Sequence, residues 1–181
     1  MTIIRDKRLA TLLLTIVTLT TGVSWADDPK PEKKPVRNIK EWDLPKNGLA
    51  IGGYDPVAYF PEGGGKATKG KPDISFKHEG VTYFFANPTN RKRFEQNPAR
   101  YEPAHGGWCS WAMKDGDKTQ PDPKSFIVKD DRLFLFYDGI FGDTRAKWQK
   151  QSHDEQAKQA DAAWKRISGE EPRKSPEKKE K

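Results

Sequence analysis

Ile74-Ser-Phe-Lys-His-Glu-Gly-Val-Thr-Tyr-Phe-Phe85 decides the fold class, because apolar side chains at 74, 76, 81, 83 and 85 alternate on either side of Glu79-Gly80. A period of two sends one face of each segment inward, and the two-residue turn joins them as a β-hairpin. A second hairpin is expected downstream: Ser125-Phe-Ile-Val128, a turn at Lys129 to Asp131, and Arg132-Leu-Phe-Leu-Phe-Tyr137. Apolar residues on both faces of that last strand predict that it is central and covered on two sides.

Helices fill the intervals. Asn87-Pro88 supplies an N-cap and a proline at the first helical position, opening a short basic helix through Arg91-Lys-Arg-Phe94 that ends near Asn97-Pro98. From an N-cap at Asp143, Thr144 to Ile167 reads as one helix with Trp148, Ala157, Ala160, Trp164 and Ile167 on one face, closed by Ser168-Gly169. The expected fold is therefore α+β: a small antiparallel β-sheet of two hairpins, short helices and a C-terminal amphipathic helix. No internal repeat of solenoid length is evident.

The flanking segments have other compositions. Residues 1–26 carry Arg5, Lys7 and Arg8, an apolar run from Leu9 to Val23, and small residues at Ser24 and Ala26. This pattern predicts a secretory signal peptide cleaved after Ala26 and a periplasmic location, with no stable membrane anchor after cleavage. Residues 27–47 are rich in proline and lysine and are expected to be a linker, residues 48–168 the folded domain, and residues 169–181 a disordered charged tail. The whole chain has a formal charge of +7, and residues 27–181 retain +5, interleaved with acidic residues. With no long basic stripe, nucleic acid is excluded as a partner. Glu62-Gly-Gly-Gly-Lys66 lacks the spacing of a phosphate-binding loop.

Candidate chemistry concentrates in Tyr101-Glu-Pro-Ala-His-Gly-Gly-Trp-Cys-Ser-Trp-Ala-Met113, which holds the only cysteine together with a histidine and a methionine. Gly106-Gly107 breaks the chain ahead of a short helix from Trp108 to Lys114, with Cys109 in its first turn, where unpaired N–H groups favour a thiolate. Cys109, His105 and Met113 form the ligand set of a soft or borderline metal, copper or zinc. Two other readings stand beside it: Cys109 packed in the core at helical spacing with Trp108, Ala112 and Met113, or Cys109 as a redox-active thiol or nucleophile kept ionised by His105. An unpaired cysteine in an oxidising compartment excludes an internal disulfide.

Gly53-Tyr-Asp-Pro-Val-Ala-Tyr-Phe60, Tyr83-Phe-Phe-Ala86, Arg93-Phe94, Asn97-Pro98, Tyr101, Gly106-Gly-Trp-Cys109, Asp122-Pro123 and Leu133 to Tyr137 together resemble the YHS-domain family, over about Leu49 to Trp164. The likeness is closest to its secreted bacterial members. It implies a small, metal-related α+β module; the reading preferred for this chain is a non-catalytic module binding a soft metal ion or small ligand around Cys109, with a periplasmic protein partner as a further expectation. The cysteines of the transporter-type YHS pattern fall here on Ala58, Ala86 and Asn90, so that thiolate site is absent. The secreted members carry a cysteine matching Cys109; this chain departs from them in having His105 for tyrosine, Trp108 for tyrosine and Ser110 for alanine. The resemblance further implies Tyr54, Asp55, Tyr59, Tyr101 and Trp108 as the wall of a ligand pocket.

Overall fold

Residues 37–45 and 48–173 are described by the computed structural model; the expected signal peptide, the linker up to residue 36 and the tail from residue 174 lie outside the described residues. The expected α+β architecture is present. Strands β1 (Lys71–His78) and β2 (Val81–Phe85) form the first antiparallel hairpin, followed by helices α1 (Pro88–Gln96), α2 (Pro98–Tyr101) and α3 (Ser110–Met113). Strands β3 (Asp122–Lys129) and β4 (Arg132–Phe136) form the second hairpin, and a two-residue ladder of β5 (Asp138–Gly139) with β6 (Gly142–Asp143) leads into α4 (Thr144–Gln149) and α5 (His153–Ser168). Among the described residues no helix is long and apolar enough to cross a membrane.

Several boundaries differ from the sequence reading for local reasons. Both first strands begin earlier than expected because each hairpin continues past a bulge. Cys109 is the N-cap of α3 rather than a residue of its first turn, and α3 is a single turn. The C-terminal helix is two helices: the Ser152 side chain accepts from Glu155 N–H and restarts the helix after Lys150-Gln151. Strand β4 is buried on both faces; it pairs with β3 along one edge, and on the other Leu133 and Leu135 make isolated bridges to Pro103 and Cys109, so the strand is flanked on two sides although its regular ladder has two strands.

The chain also contains one structural unit twice, a two-copy arrangement rather than a repeat of solenoid length. Lys71, Ser75, Tyr83 and Phe85 of the first hairpin correspond to Asp122, Phe126, Phe134 and Phe136 of the second, a shift of 51 residues with the bulge at the same place. Ahead of each hairpin lies an Ala-x-Gly-Gly turn, Ala50–Gly53 and Ala104–Gly107, whose second residue is left-handed in both copies: Ile51 at φ 51° and His105 at φ 54°. Leu49 bridges Thr82 as Pro103 bridges Leu133, and Asp55 N–H donates to Thr68 O as Cys109 N–H donates to Thr119 O, both at 2.9 Å. Behind each hairpin a helix inserts one aromatic ring, Phe94 against Tyr83 and Phe85, Trp148 against Phe134 and Phe136.

The two faces of β4 serve different cores. Leu133 and Leu135 enter the larger cluster with Tyr59, Phe60, Tyr83, Phe94, Met113 and Trp164, whereas Phe134 and Phe136 pack with Trp148 and Ala157. Gly106 is required by this packing: at φ 62°, a side chain there would put Cβ 2.4 Å from the Trp164 ring. The segments on either side are tied to one carboxylate. Glu102, with a fully buried side chain, takes Tyr83 O–H at 2.9 Å, both Arg37 guanidinium nitrogens at 2.5 and 2.9 Å, and Arg173 at 2.9 Å.

Candidate functional site

Cys109 and Asp55 occupy the same place in the two copies, 54 residues apart, as do Trp148 and Phe94. Asp55 is wholly buried; its Oδ1 accepts from Val57 and Ala58 N–H, and its Oδ2 from Ala86 N–H and the Asn90 side-chain amide. These donors reach three different elements, so the carboxylate pins the turn, the end of β2 and α1 together. In the second copy the Cys109 sulfur accepts from Tyr137 N–H at 3.3 Å and lies 3.5 Å from Thr144 Oγ1. Tyr137 and Thr144 are the counterparts of Ala86 and Asn90. Thr144 gives its hydroxyl hydrogen to Tyr137 O at 2.8 Å, which leaves its oxygen to accept S–H from Cys109. The result is a closed ring of three hydrogen bonds through Cys109, Thr144 and Tyr137.

The copies differ in how this hub is covered. From Asp55 to Thr68 the chain runs 13 residues and folds over its own hub: Arg93 donates to Glu62 O, and a Cβ on Gly63 would lie 2.0 Å from Val57 O. From Cys109 to Thr119 it runs only 10 residues. Trp111, half-buried, and Lys147, exposed, are the counterparts of Val57 and Arg93 and line a cavity of about 350 Å³ with Cys109, Thr119 and Thr144. The opposite change occurs after the hairpin, where Phe85 to Asn90 spans five residues and Phe136 to Thr144 eight. The extra length makes the β5–β6 turn, which holds Phe141 over the cavity.

His105 and Met113 turn away from this cavity. Met113 is fully buried in the larger core. The His105 ring is buried, with Nδ1 3.1 Å from Ser110 Oγ and Nε2 3.0 Å from Asp161 Oδ1. A carboxylate only accepts, so Nε2 carries the hydrogen; burial lowers the imidazole's proton affinity against the pull of Asp161, leaving Nδ1 to accept from Ser110. Burial works to raise the Asp161 carboxyl, but His105 and the bidentate Arg132 outweigh it and hold it below the usual carboxylate range. Two of the three residues noted above as departures, His105 and Ser110, are thus partners of each other. The order Ser–His–Asp is that of a hydrolytic triad, yet Ser110 is fully buried beneath the fold.

The expected pocket wall disperses. Tyr54 carries Lys69 on its ring; Tyr59 donates to Pro123 O and packs edge-on to Phe126; Tyr101 donates to Glu62; Trp108 donates to Glu41 O. None of these, nor Asp55, lines the Cys109 cavity. The residues that do, Trp111, Thr144, Lys147 and Phe141, escaped sequence reasoning. The available signal was the exposed-type apolar pair Ile140-Phe141 between Gly139 and Gly142.

Among the described residues, one group of three His, Cys, Asp or Glu ligand atoms lies within 4.8 Å: Asp130, His153 and Asp154. Its histidine is poorly disposed toward a metal. Trp148 Nε1–H donates to His153 Nδ1 at 2.9 Å, so the neutral ring carries its own hydrogen on Nε2 and has no free lone pair. Comparison with family models, characterised proteins and solved structures finds no match to this chain.

Proposed function

We propose that this chain is a secreted, periplasmic module of the YHS type that binds a small ligand at Cys109 and has no catalytic cycle of its own. The observation that carries the reading is the comparison of the two copies: the loop that covers the Asp55 hub is three residues shorter after Cys109, and Cys109, itself buried, lines a cavity of about 350 Å³ there. Concave, largely preformed sites of this size suit small molecules. Support for the YHS likeness comes from Ala58, Ala86 and Asn90, which stand where the transporter-type pattern has cysteines and all donate to Asp55. Support for export comes from the basic and apolar pattern of residues 1–26.

An organic ligand is favoured over copper or zinc because both His105 nitrogens are engaged by Ser110 and Asp161. The same contacts deprive a nucleophilic Cys109 of the histidine that would activate it. The test is native-state modification of Cys109 by methyl methanethiosulfonate beside a bulky maleimide, with Cu(I) and Zn(II) titrations in parallel. The expected result is labelling by the small reagent faster than global unfolding, slow reaction with the large one, and no stoichiometric metal binding. Labelling by the small reagent only at the unfolding rate sinks the pocket reading, and tight metal binding abolished in Cys109→Ala sinks the choice of an organic ligand.

A further inference from the structure

We propose that the Cys109 cavity takes a small apolar molecule bearing one negative charge, held by Trp111 and Phe141 with its anionic group toward Lys147. The inference rests on the pocket reading above and adds the ligand's chemistry. Among the cavity's lining residues Lys147 is the single charged side chain; it is exposed and makes no ion pair among the described residues. Its counterpart in the closed copy, Arg93, is satisfied by Glu62 O, so the covering loop there fills the place of a ligand's acceptor group. Shortening that loop removes the acceptor and leaves a cation facing a cavity.

The apolar part of the site has its own evidence. Ile140 is 90 % and Phe141 79 % exposed, the two most exposed large hydrophobic side chains among the described residues. They sit in the lengthened connection, between glycines, and Phe141 lines the cavity together with Trp111. Keeping two such side chains in water is unfavourable unless something covers them. A bound apolar body in the cavity covers Phe141, and Trp111, which lines the same cavity, adds an aromatic ring that Lys114 Nζ caps at 3.4 Å from its centroid.

The probe is 1-anilinonaphthalene-8-sulfonate, an aromatic anion, titrated by fluorescence into the natively folded protein, with its uncharged relative N-phenyl-1-naphthylamine beside it. The proposal expects saturable one-to-one binding of the anion that protects Cys109 from methyl methanethiosulfonate. It expects about tenfold weaker binding in Phe141→Ala for both probes, and in Lys147→Gln about tenfold weaker binding for the anion alone. Both side chains are exposed, so unchanged thermal melts are expected of the variants. Equal affinity of wild type and Lys147→Gln for the anion, or no saturable binding of either probe, overturns the proposal. In the second case, rapid native-state labelling of Cys109 shows that the pocket survives and only the ligand's chemistry is wrong; labelling at the unfolding rate shows that the pocket itself fails.

Discussion

Asp55→Asn isolates the energetics of the duplicated hub. The substitution keeps the shape and replaces one acceptor oxygen by an NH2 group. Each oxygen of Asp55 takes two N–H donors, so wherever the amide points, its hydrogens face donors. The mildest arrangement turns the new NH2 toward the Oδ2 side and flips Asn90 so that its carbonyl accepts; Ala86 N–H is then left without a partner and the 3.4 Å Arg93–Asn90 contact is given up. Hydrogen bonds to a charged group contribute about 1.5–3 kcal/mol each, and a buried orphan donor costs about 1–3 kcal/mol. The expected loss is about 3–5 kcal/mol, a fall in Tm of roughly 6–20 °C for a chain of this size. At the equivalent site, Cys109→Ala removes two weak sulfur hydrogen bonds and a small volume, so about 1–2 kcal/mol is expected. Urea unfolding of both variants, followed by tryptophan fluorescence, measures the pair. A loss below 1 kcal/mol for Asp55→Asn, or an equal loss for the two, refutes the assignment of Asp55 as the closed, structural hub.

Two other groups give separate predictions. Burial raises the Asp43 carboxyl from 3.8 to about 6, with a Gln120 hydrogen bond opposing the shift. A folded-state value above the unfolded one means that the fold favours the protonated form, so the penalty is absent below pH 4, grows as pH rises from about 4 to 6, and is complete above. Asp43→Asn is therefore expected to match wild type at pH 4 and to be roughly 1–3 kcal/mol more stable at pH 7.5, after allowance for the carboxylate's partial contact with solvent; melts across that range check it, and a gain already present at pH 4 contradicts it. Glu102→Gln removes the buried charge shared by Arg37 and Arg173 and leaves them to the more exposed Glu79 and Glu170, so the buried Arg37 is less than fully compensated. A loss of about 3–5 kcal/mol is expected, with faster tryptic cleavage at Arg37 and Arg173 in the folded state; unchanged cleavage at both sites contradicts the clasp.

The parts of this fold visible in the sequence are those governed by near neighbours. Alternation at 74–85 and the turn at Glu79-Gly80 follow from residues that touch within the hairpin, as does the Asn87 cap, which accepts Asn90 N–H as its position implies. The break between α4 and α5 was hidden because Lys150-Gln-Ser152 has no glycine or proline; it depends on Gln156, whose side chain donates to Trp148 O across the gap. The His105 environment was hidden for a different reason. Its carboxylate partner, Asp161, is 56 residues away on a helix whose rotation is set by Trp164 packing on Gly106. The duplication left one legible trace, Ala-x-Gly-Gly-aromatic at 50–54 and again at 104–108. Between those motifs the copies share bulge, register and turn conformation but few side chains, since backbone hydrogen bonding constrains the former and core shape the latter.

That duplication gives a physical account of how a ligand site and a stable fold coexist in a small chain. A buried hub with four satisfied donors is rigid, and opening it to solvent at Asp55 would expose the contacts that hold the first hairpin to α1. In the second copy the hub is a neutral thiol ring with weaker bonds, so less is forfeited when the covering loop is shortened. Stability then rests on the first copy, the two aromatic inserts and the Glu102 clasp, while the second copy retains enough bonding to hold Thr144 and Tyr137 at the buried Cys109 beside the cavity lined by Lys147 and Phe141. Cys109→Asp illustrates the division. It would place a charge opposite Tyr137 N–H and a Thr144 hydroxyl already donated to Tyr137 O, where Asp55 has both Ala86 N–H and the Asn90 amide, so the second hub cannot be converted into the first by that change alone.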